Sequence, residues 1–304
     1  MSFALATVES AGRPQACIEL GGRYWPIAAS AQALGIAGLG GERPLVALFE
    51  NWSESFAQLS ALAAALAKAP ASLALPDGGR VAAPLQYPGK VLCAGANYYD
   101  HIAEMGVTDT RKEAQRLFFF FKPPRNALVG PGRTVRKPRA TQMFDWEVEL
   151  AAVIGKRVKD VSEADALGAV AAYSVAIDLS ARDLNQAPNT FYRLDWVAGK
   201  GQDTCCPMGP RLVPAAFISD PMNLRLGLKV NGETKQDGVT SGMIFSIAEQ
   251  IATLSRIMTL DPGDVLLTGT PAGVGFPKKT FLSVGDRIDA EIAEIGTLSV
   301  EIGA

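Results

Sequence analysis

The chain has 304 residues, of which 48% are hydrophobic and 20% charged, with a formal net charge of −2, so it has apolar material for a large core. Near-neutral charge gives no basic field for nucleic acid or an anionic membrane, and the most apolar helical stretch, Leu59 to Ala67, ends at Lys68, short of a bilayer span. Met1 to Glu9 lacks a secretory pattern, and Cys17, Cys93, Cys205 and Cys206 have no C-x-x-C spacing, so a soluble cytoplasmic protein with free, buried thiols is expected.

Residues 1–84 read as a small α+β domain. Gln15 to Leu20 and Arg23 to Ile27 flank a Gly21-Gly22 turn and predict a hairpin. Ser53 precedes Phe56, Leu59, Leu62, Ala63 and Leu66 at helical spacing, which predicts a helix closed by Ala69-Pro70. An Asp77-Gly78-Gly79 turn and a linker from Pro84 to Pro88 end this part, which offers no catalytic pattern.

Residues 85–304 have a different character. Val91 to Ala96 predicts a buried strand, and Asn97 the cap of a short helix carrying Tyr98, Tyr99, His101 and Glu104. His101 is the only histidine, and Glu104 at i+3 shares its helix face, an arrangement suited to a general base. The polar run 106–116 reads either as a mobile lid or as a solvated helix face. Phe118 to Phe121 predicts a strand buried on both faces, with Lys122 at its end serving an acidic substrate or marking the strand end.

Phe144 to Leu150 carries the main chemical signal. In an extended segment Glu147 and Glu149 share one face while Trp146, Val148 and Leu150 fill the other. Two inward carboxylates lose hydration and repel each other, so a positive partner is required. The candidate is a divalent metal ion with Asp178 as third ligand, delivered by the strand Ala171 to Ile177 after a capped helix at Ser162 to Leu167. The alternative is ion pairing with Arg182 and Lys200, disfavoured because long surface cations neutralise a buried acid pair poorly.

Lys200 stands in a glycine-flanked loop that has no nucleotide P-loop pattern. Leu226 to Thr234 predicts a strand with an Asn231-Gly232 turn, and Ile244 to Met258 an amphipathic helix. Leu266 to Gly275 reads as a strand entering a glycine-rich turn whose N–H groups can face a ligand carboxylate. Phe281 to Ile302 alternates like a hairpin around Gly285-Asp286, so the fold class is α+β, mainly β.

From about Pro88 onward the chain resembles the fumarylacetoacetate hydrolase family. The resemblance rests on Gly95-Ala96-Asn97-Tyr98 with His101 and Glu104, Phe121-Lys122-Pro123, Asp145 to Leu150, Asp178 to Asp183, Lys200 before Pro207 to Pro210, and Thr268 to Gly275. It implies a mixed β-roll catalytic domain behind a small N-terminal domain, usually in a homodimer. It also implies Mg²⁺ or Mn²⁺ on Glu147, Glu149 and Asp178, with Arg182, Lys200, Gly269, Thr270 and Lys122 at the substrate. Where the family usually has Gln after the Arg-Asp pair, this chain has Asn185 followed by Gln186, so Asn185 is the candidate there.

The expected activity is metal-dependent C–C hydrolysis of a β-diketo acid, such as an acylpyruvate or fumarylacetoacetate, to a carboxylic acid and a 2-oxo acid. In it His101, oriented by Glu104, activates water, and Lys200 stabilises the enolate. Alternatives on the same site are an oxaloacetate decarboxylase, a 2-hydroxyhepta-2,4-diene-1,7-dioate isomerase, a 2-keto-4-pentenoate hydratase or a non-catalytic 2-oxo acid binder.

Overall fold

The computed structural model describes residues 1–76 and 79–304, so the turn expected at Asp77-Gly78-Gly79 lies largely outside the described residues. Strands β1 (Ala4–Ser10), β2 (Arg13–Leu20) and β3 (Arg23–Pro26) form a meander, with Gly21 and Gly22 at the β2–β3 turn. Helices α1 (Ile27–Leu34), α2 (Leu45–Phe49) and α3 (Trp52–Leu66) follow. The α3 stripe of Leu59, Leu62, Ala63 and Leu66 is buried as its spacing predicts. The helix starts before Ser53, however, with Asn51 at the cap position, where its amide donates to Glu54 Oε2 at 2.6 Å.

Next come β4 (Arg80–Val81), β5 (Val91–Ala94), α4 (Tyr99–Glu104), β6 (Phe119–Phe121), β7 (Leu128–Val129) and β8 (Thr134–Arg136). The acid-bearing region comprises β9 (Phe144–Asp145), β10 (Val148–Ile154), α5 (Glu163–Ala166), β11 (Val170–Ile177) and β12 (Ser180–Ala181). A short hairpin, β13 (Gln186–Ala187) and β14 (Arg193–Leu194), leads to α6 (Trp196–Lys200) and β15 (Cys206–Pro214). The remainder is β16 (Arg225–Val230), β17 (Glu233–Val239), α7 (Ile247–Ile257), β18 (Val265–Leu267), α8 (Gly275–Lys278), β19 (Arg287–Ile292) and β20 (Gly296–Gly303).

An eleven-stranded sheet runs β3-β2-β1-β15-β11-β10-β18-β5-β6, with β4 on β1 and β7 on β15; a five-stranded sheet runs β17-β16-β19-β20-β8. The fold is thus α+β and mainly β. Strand β1 joins β15 through Leu5 and Leu212, so the N-terminal meander continues the central sheet. At the centre, β10 and β11 are buried at every position. Val148, Leu150, Ala152 and Ile154 face a core containing Leu226, Ile251, Leu254 and Ala290. Ala151 and Val153 face the opposite core, which holds Leu48, Leu59 and Leu62. Burying a Val or Leu side chain contributes about 1.5–3 kcal/mol, and a one-residue slip would turn Glu149 into the apolar layer, so both cores fix the register of β10.

Three expectations need correction. The phenylalanine strand is not buried on both faces: β6 is the sheet's edge, so Phe120 is 8% exposed while Phe118 and Phe121 are 37% and 53% exposed. The final hairpin turns at residues 293–295, between β19 and β20, because Gly285-Asp286 belongs to a separate turn in which Asp286 Oδ2 accepts the Ser283 N–H at 2.7 Å. Lys200 closes α6, whose first turn is capped by Asp195, and so is not in an open loop.

Candidate active site

Strands β10 and β11 are antiparallel, with Val148 opposite Ile177 and Glu149 opposite Ala176. One step further, the Asp178 N–H donates to Glu147 O at 2.8 Å, which sets Asp178 opposite Glu147. Opposed side chains lie on one face, and Glu149 follows two residues along that face. Carboxylate oxygens of these three buried residues accordingly lie within 4.8 Å of one another. Glu147 itself occupies a two-residue break between β9 and β10, not the continuous strand expected. Side chains replace ladder partners there: the Trp146 N–H donates to Asp145 Oδ1 at 2.8 Å, and the Val148 N–H to Gln236 Oε1 at 2.9 Å.

Asp145 adds a fourth acid, which the sequence reading left without a role although the same alternation places it with Glu147 and Glu149. It accepts from the Gly275 and Phe276 N–H groups at 2.7 and 3.0 Å and from Arg182 Nε at 2.9 Å. Arg182 also donates through Nη2 to Glu147 Oε1 at 2.6 Å. Lys200 Nζ bridges Glu147 Oε2 and Asp178 Oδ2. Lys122 Nζ, fully enclosed, donates to Asp178 Oδ1 at 2.6 Å and Leu179 O at 2.9 Å. Arg182 and Lys200 are therefore not the surface cations that the sequence reading assumed, and they pair with two of the three triad acids.

Among the described residues, four carboxylates (Asp145, Glu147, Glu149, Asp178) meet three cations (Lys122, Arg182, Lys200). The missing charge falls at Glu149, which receives only the Gly269 N–H, at 2.6 Å. Burial, then Asp178 and Glu147, push its pKa well above the usual carboxylate range. At Glu147 burial also opposes ionisation, but Arg182, then Lys200, outweigh it and hold that carboxyl well below the usual range. A buried acid lacking a cation beside two further acids is the condition that a divalent ion relieves. Three carboxylate oxygens are the hard donors that Mg²⁺ and Mn²⁺ accept, and they leave coordination positions for water or ligand.

His101 is buried on α4 with its Nδ1 2.9 Å from Glu104 Oε1. Glu104 Oε2 accepts the Gly273 N–H at 2.9 Å, and Oε1 the Val274 N–H at 3.4 Å. A carboxylate that already accepts two N–H groups also accepts from His101, which puts the imidazole proton on Nδ1 and leaves the Nε2 lone pair free. Asn97 is not the helix cap; Tyr98 holds that position. The Asn97 side chain instead accepts the Phe245 N–H and donates to Phe245 O, both at 3.0 Å, and donates to Thr268 O at 2.9 Å.

The glycine-rich turn was expected to present its amides to a ligand. It presents them to Glu149, Glu104 and Asp145 instead. Gly273 has φ 106, and a Cβ there would lie 2.0 Å from Lys235 O, so only glycine fits. Thr270 Oγ1 donates to Val148 O and accepts from Gln236 Nε2, both at 2.8 Å, which commits its donor within the protein. Asn185 differs: its Oδ1 is buried without a partner among the described residues, and its side chain lies against Gly199, next to Lys200.

A family model described as fumarylacetoacetate (FAA) hydrolase C-terminal matches residues 90–302, which include the triad, the His101–Glu104 pair and all three cations. The chain belongs to the fumarylacetoacetate hydrolase family. Mitochondrial oxaloacetate tautomerases of Xenopus laevis and Homo sapiens are each 43% identical to this family member over 71% of its length. The match spans 66% and 67% of those two proteins, respectively. A putative HpcE protein from Mycobacterium smegmatis is similar over 98% of both chains, with TM-score 0.80 and 31% identity. Fumarylpyruvate hydrolase from Pseudomonas aeruginosa, solved with Mn²⁺ and pyruvate, matches 75% of this chain and 92% of its own, with TM-score 0.65 and 34% identity. That relative's Mn²⁺ and the hard-oxygen triad agree on a divalent cation as the fitting occupant of the site. No helix of the described residues is long and apolar enough to cross a membrane.

Proposed function

We propose that this family member is a divalent-metal-dependent enzyme that interconverts the keto and enol forms of a 2-oxo dicarboxylic acid, oxaloacetate being the substrate in the names of its 43%-identical relatives. The observation that carries the reading is an imidazole with a free Nε2, fixed by Glu104, in the same site as an acid triad one cation short. When held by Glu147, Glu149 and Asp178, Mg²⁺ or Mn²⁺ supplies positive charge to the 2-oxo end and so acidifies the neighbouring C–H. In enolisation His101 Nε2 takes the C3 proton of the keto form while solvent water protonates the enolate oxygen; in ketonisation the enol O–H proton passes to water and the imidazolium of His101 delivers its Nε2 proton to C3. Glu104 keeps the other imidazole proton on Nδ1 throughout. Lys200 Nζ offsets negative charge developing on the enolate oxygen, and Asn185 offers its unengaged amide to the substrate. Residues 1–84 form an accessory domain in this reading, and the working unit is a homodimer.

C–C hydrolysis of an acylpyruvate is the second reading. The same His101–Glu104 pair is arranged to deprotonate a water, and a relative 34% identical is a fumarylpyruvate hydrolase. The two separate in one assay of the Mn²⁺-loaded protein, which follows decay of enol absorbance with oxaloacetate and release of pyruvate from acetylpyruvate. Metal-dependent ketonisation with the higher kcat/KM is expected. Faster acetylpyruvate cleavage favours the second reading, and activity on neither substrate rejects both. His101→Asn should lower kcat by about 10²–10⁴-fold, and a variant as active as the native protein would remove His101 from the mechanism.

A further inference from the structure

Between Gly106 and Leu117 the chain forms a strap whose hydrogen bonds are local, with Arg111 and Gln115 both bonding Asp109. Among the described residues one bond leaves for a distant element: Lys112 Nζ donates to Glu249 Oε1 at 2.5 Å. The same ammonium stands 5.3 Å from the centre of the Phe245 ring. Glu249 divides its oxygens, because Oε2 accepts the Ser246 N–H at 2.8 Å to close the capping box of α7 while Oε1 takes the lysine. Phe245 in turn is gripped by the Asn97 side chain at both its N–H and its carbonyl. Asn97 begins the segment that leads into α4, so the contacts form a ring: Asn97, α4, strap, Lys112, Phe245 and Glu249, and back to Asn97. His101 lies within it.

We propose that Lys112 is a positioning residue whose latch onto Glu249 and Phe245 holds α4, and with it the His101–Glu104 pair, against the Gly273-Val274 turn. This rests on the reading of His101 as the base. The Lys112 and Glu249 side chains are 38% and 22% exposed, so the latch is salt-screened and weak enough to open for substrate.

The test uses the Mn²⁺-loaded 304-residue chain with Lys112→Ala, Glu249→Gln, the double variant and Lys112→Arg. Glutamine preserves the capping box while removing the charge, so Glu249→Gln spares α7. Without substrate, amide exchange over residues 106–117 should accelerate about two- to fivefold in either single variant, with the interior of α7 unchanged. The double variant should be no faster than the singles, Lys112→Arg should restore native exchange, and high salt should loosen the native strap. With substrate, kcat/KM should fall by a similar factor. Unchanged strap exchange, or additive effects of the two substitutions, would overturn the latch. A looser strap with native kcat and KM would overturn the positioning role. Because exchange requires no turnover, a protein inactive on every substrate would reject the functional reading while still reporting on the latch.

Discussion

Glu147 and Glu149 stand two residues apart on one face, yet their surroundings are opposite. Glu147 is held by Arg182 and Lys200, whereas Glu149 has one backbone N–H and no cation among the described residues. Alternation alone discloses that both acids point inward, and it discloses Asp145 as well. It cannot disclose which acid is left uncompensated, because that depends on where Lys122 and Lys200, distant in sequence, bring their ammonium groups. At the thiols burial is the largest influence. Burial pushes Cys205 and Cys206 up to about 12 and Cys93 well above its usual value, while Cys17, in the N-terminal meander, also rises to about 12. A thiol with pKa near 12 is roughly 10⁻⁴ thiolate at pH 8, and the thiolate is the reactive form. All four cysteines should therefore resist a disulfide-exchange reagent at pH 8 in the native protein and react together on unfolding. Rapid labelling of any one in the folded state would contradict that burial.

At the scale of elements, the two periodicities located most of the pieces. Alternation from Phe144 to Leu150 marked the approach to β10, a continuous apolar stretch marked the rest of that strand, and a 3.6-residue stripe marked α3 and α7, because those patterns record which faces are buried. The errors fall where a tertiary partner claims a local signal. Asn97 looks like a cap because asparagine favours caps, but three hydrogen bonds to Phe245 and Thr268 take its side chain. Gln236, on β17, supplies the acceptor that lets the chain break between β9 and β10, and nothing in its own neighbourhood of sequence announces this. The edge position of β6 is equally invisible, since four phenylalanines read the same in a central strand. Asn97 is the most informative of these to change, as it joins the start of α4, the approach to α7 and the end of β18. Asn97→Ala removes these bonds and leaves buried backbone groups unmet, at a cost of order 3 kcal/mol. The urea midpoint should fall with an unchanged m-value, and activity should fall more than global stability requires, because α4 loses its anchor. A variant with native stability would show that Asn97 is not the joint described.

On the scale of the whole molecule, one sheet connects the N-terminal meander to the acids. Strand β1 pairs with β15, β15 with β11, and β11 leads directly into Asp178, opposite Glu147 in the break just before β10, the strand that carries Glu149. Any ion held by the triad would thereby be coupled to the stability of the global fold, since unfolding separates β10 from β11 and scatters the three carboxylates. A ligand bound only by the folded state stabilises it by about 2.7 kcal/mol at a hundred times its dissociation constant. Mn²⁺ or Mg²⁺ should therefore raise the melting temperature in a concentration-dependent way that a chelator reverses. Glu149→Gln distinguishes this from a nonspecific salt effect by its sign. It removes the triad carboxylate that has no cation among the described residues, so the metal-free variant should melt no lower than the metal-free native protein, while added divalent ion should no longer stabilise it. Glu147→Gln should behave in the opposite way without metal, because it leaves Arg182 and Lys200 short of their shared partner, and breaking a buried pair costs about 3–5 kcal/mol. If the two variants melt alike without metal, the uneven distribution of charge across the triad is wrong, and with it the argument that the fold is built one cation short.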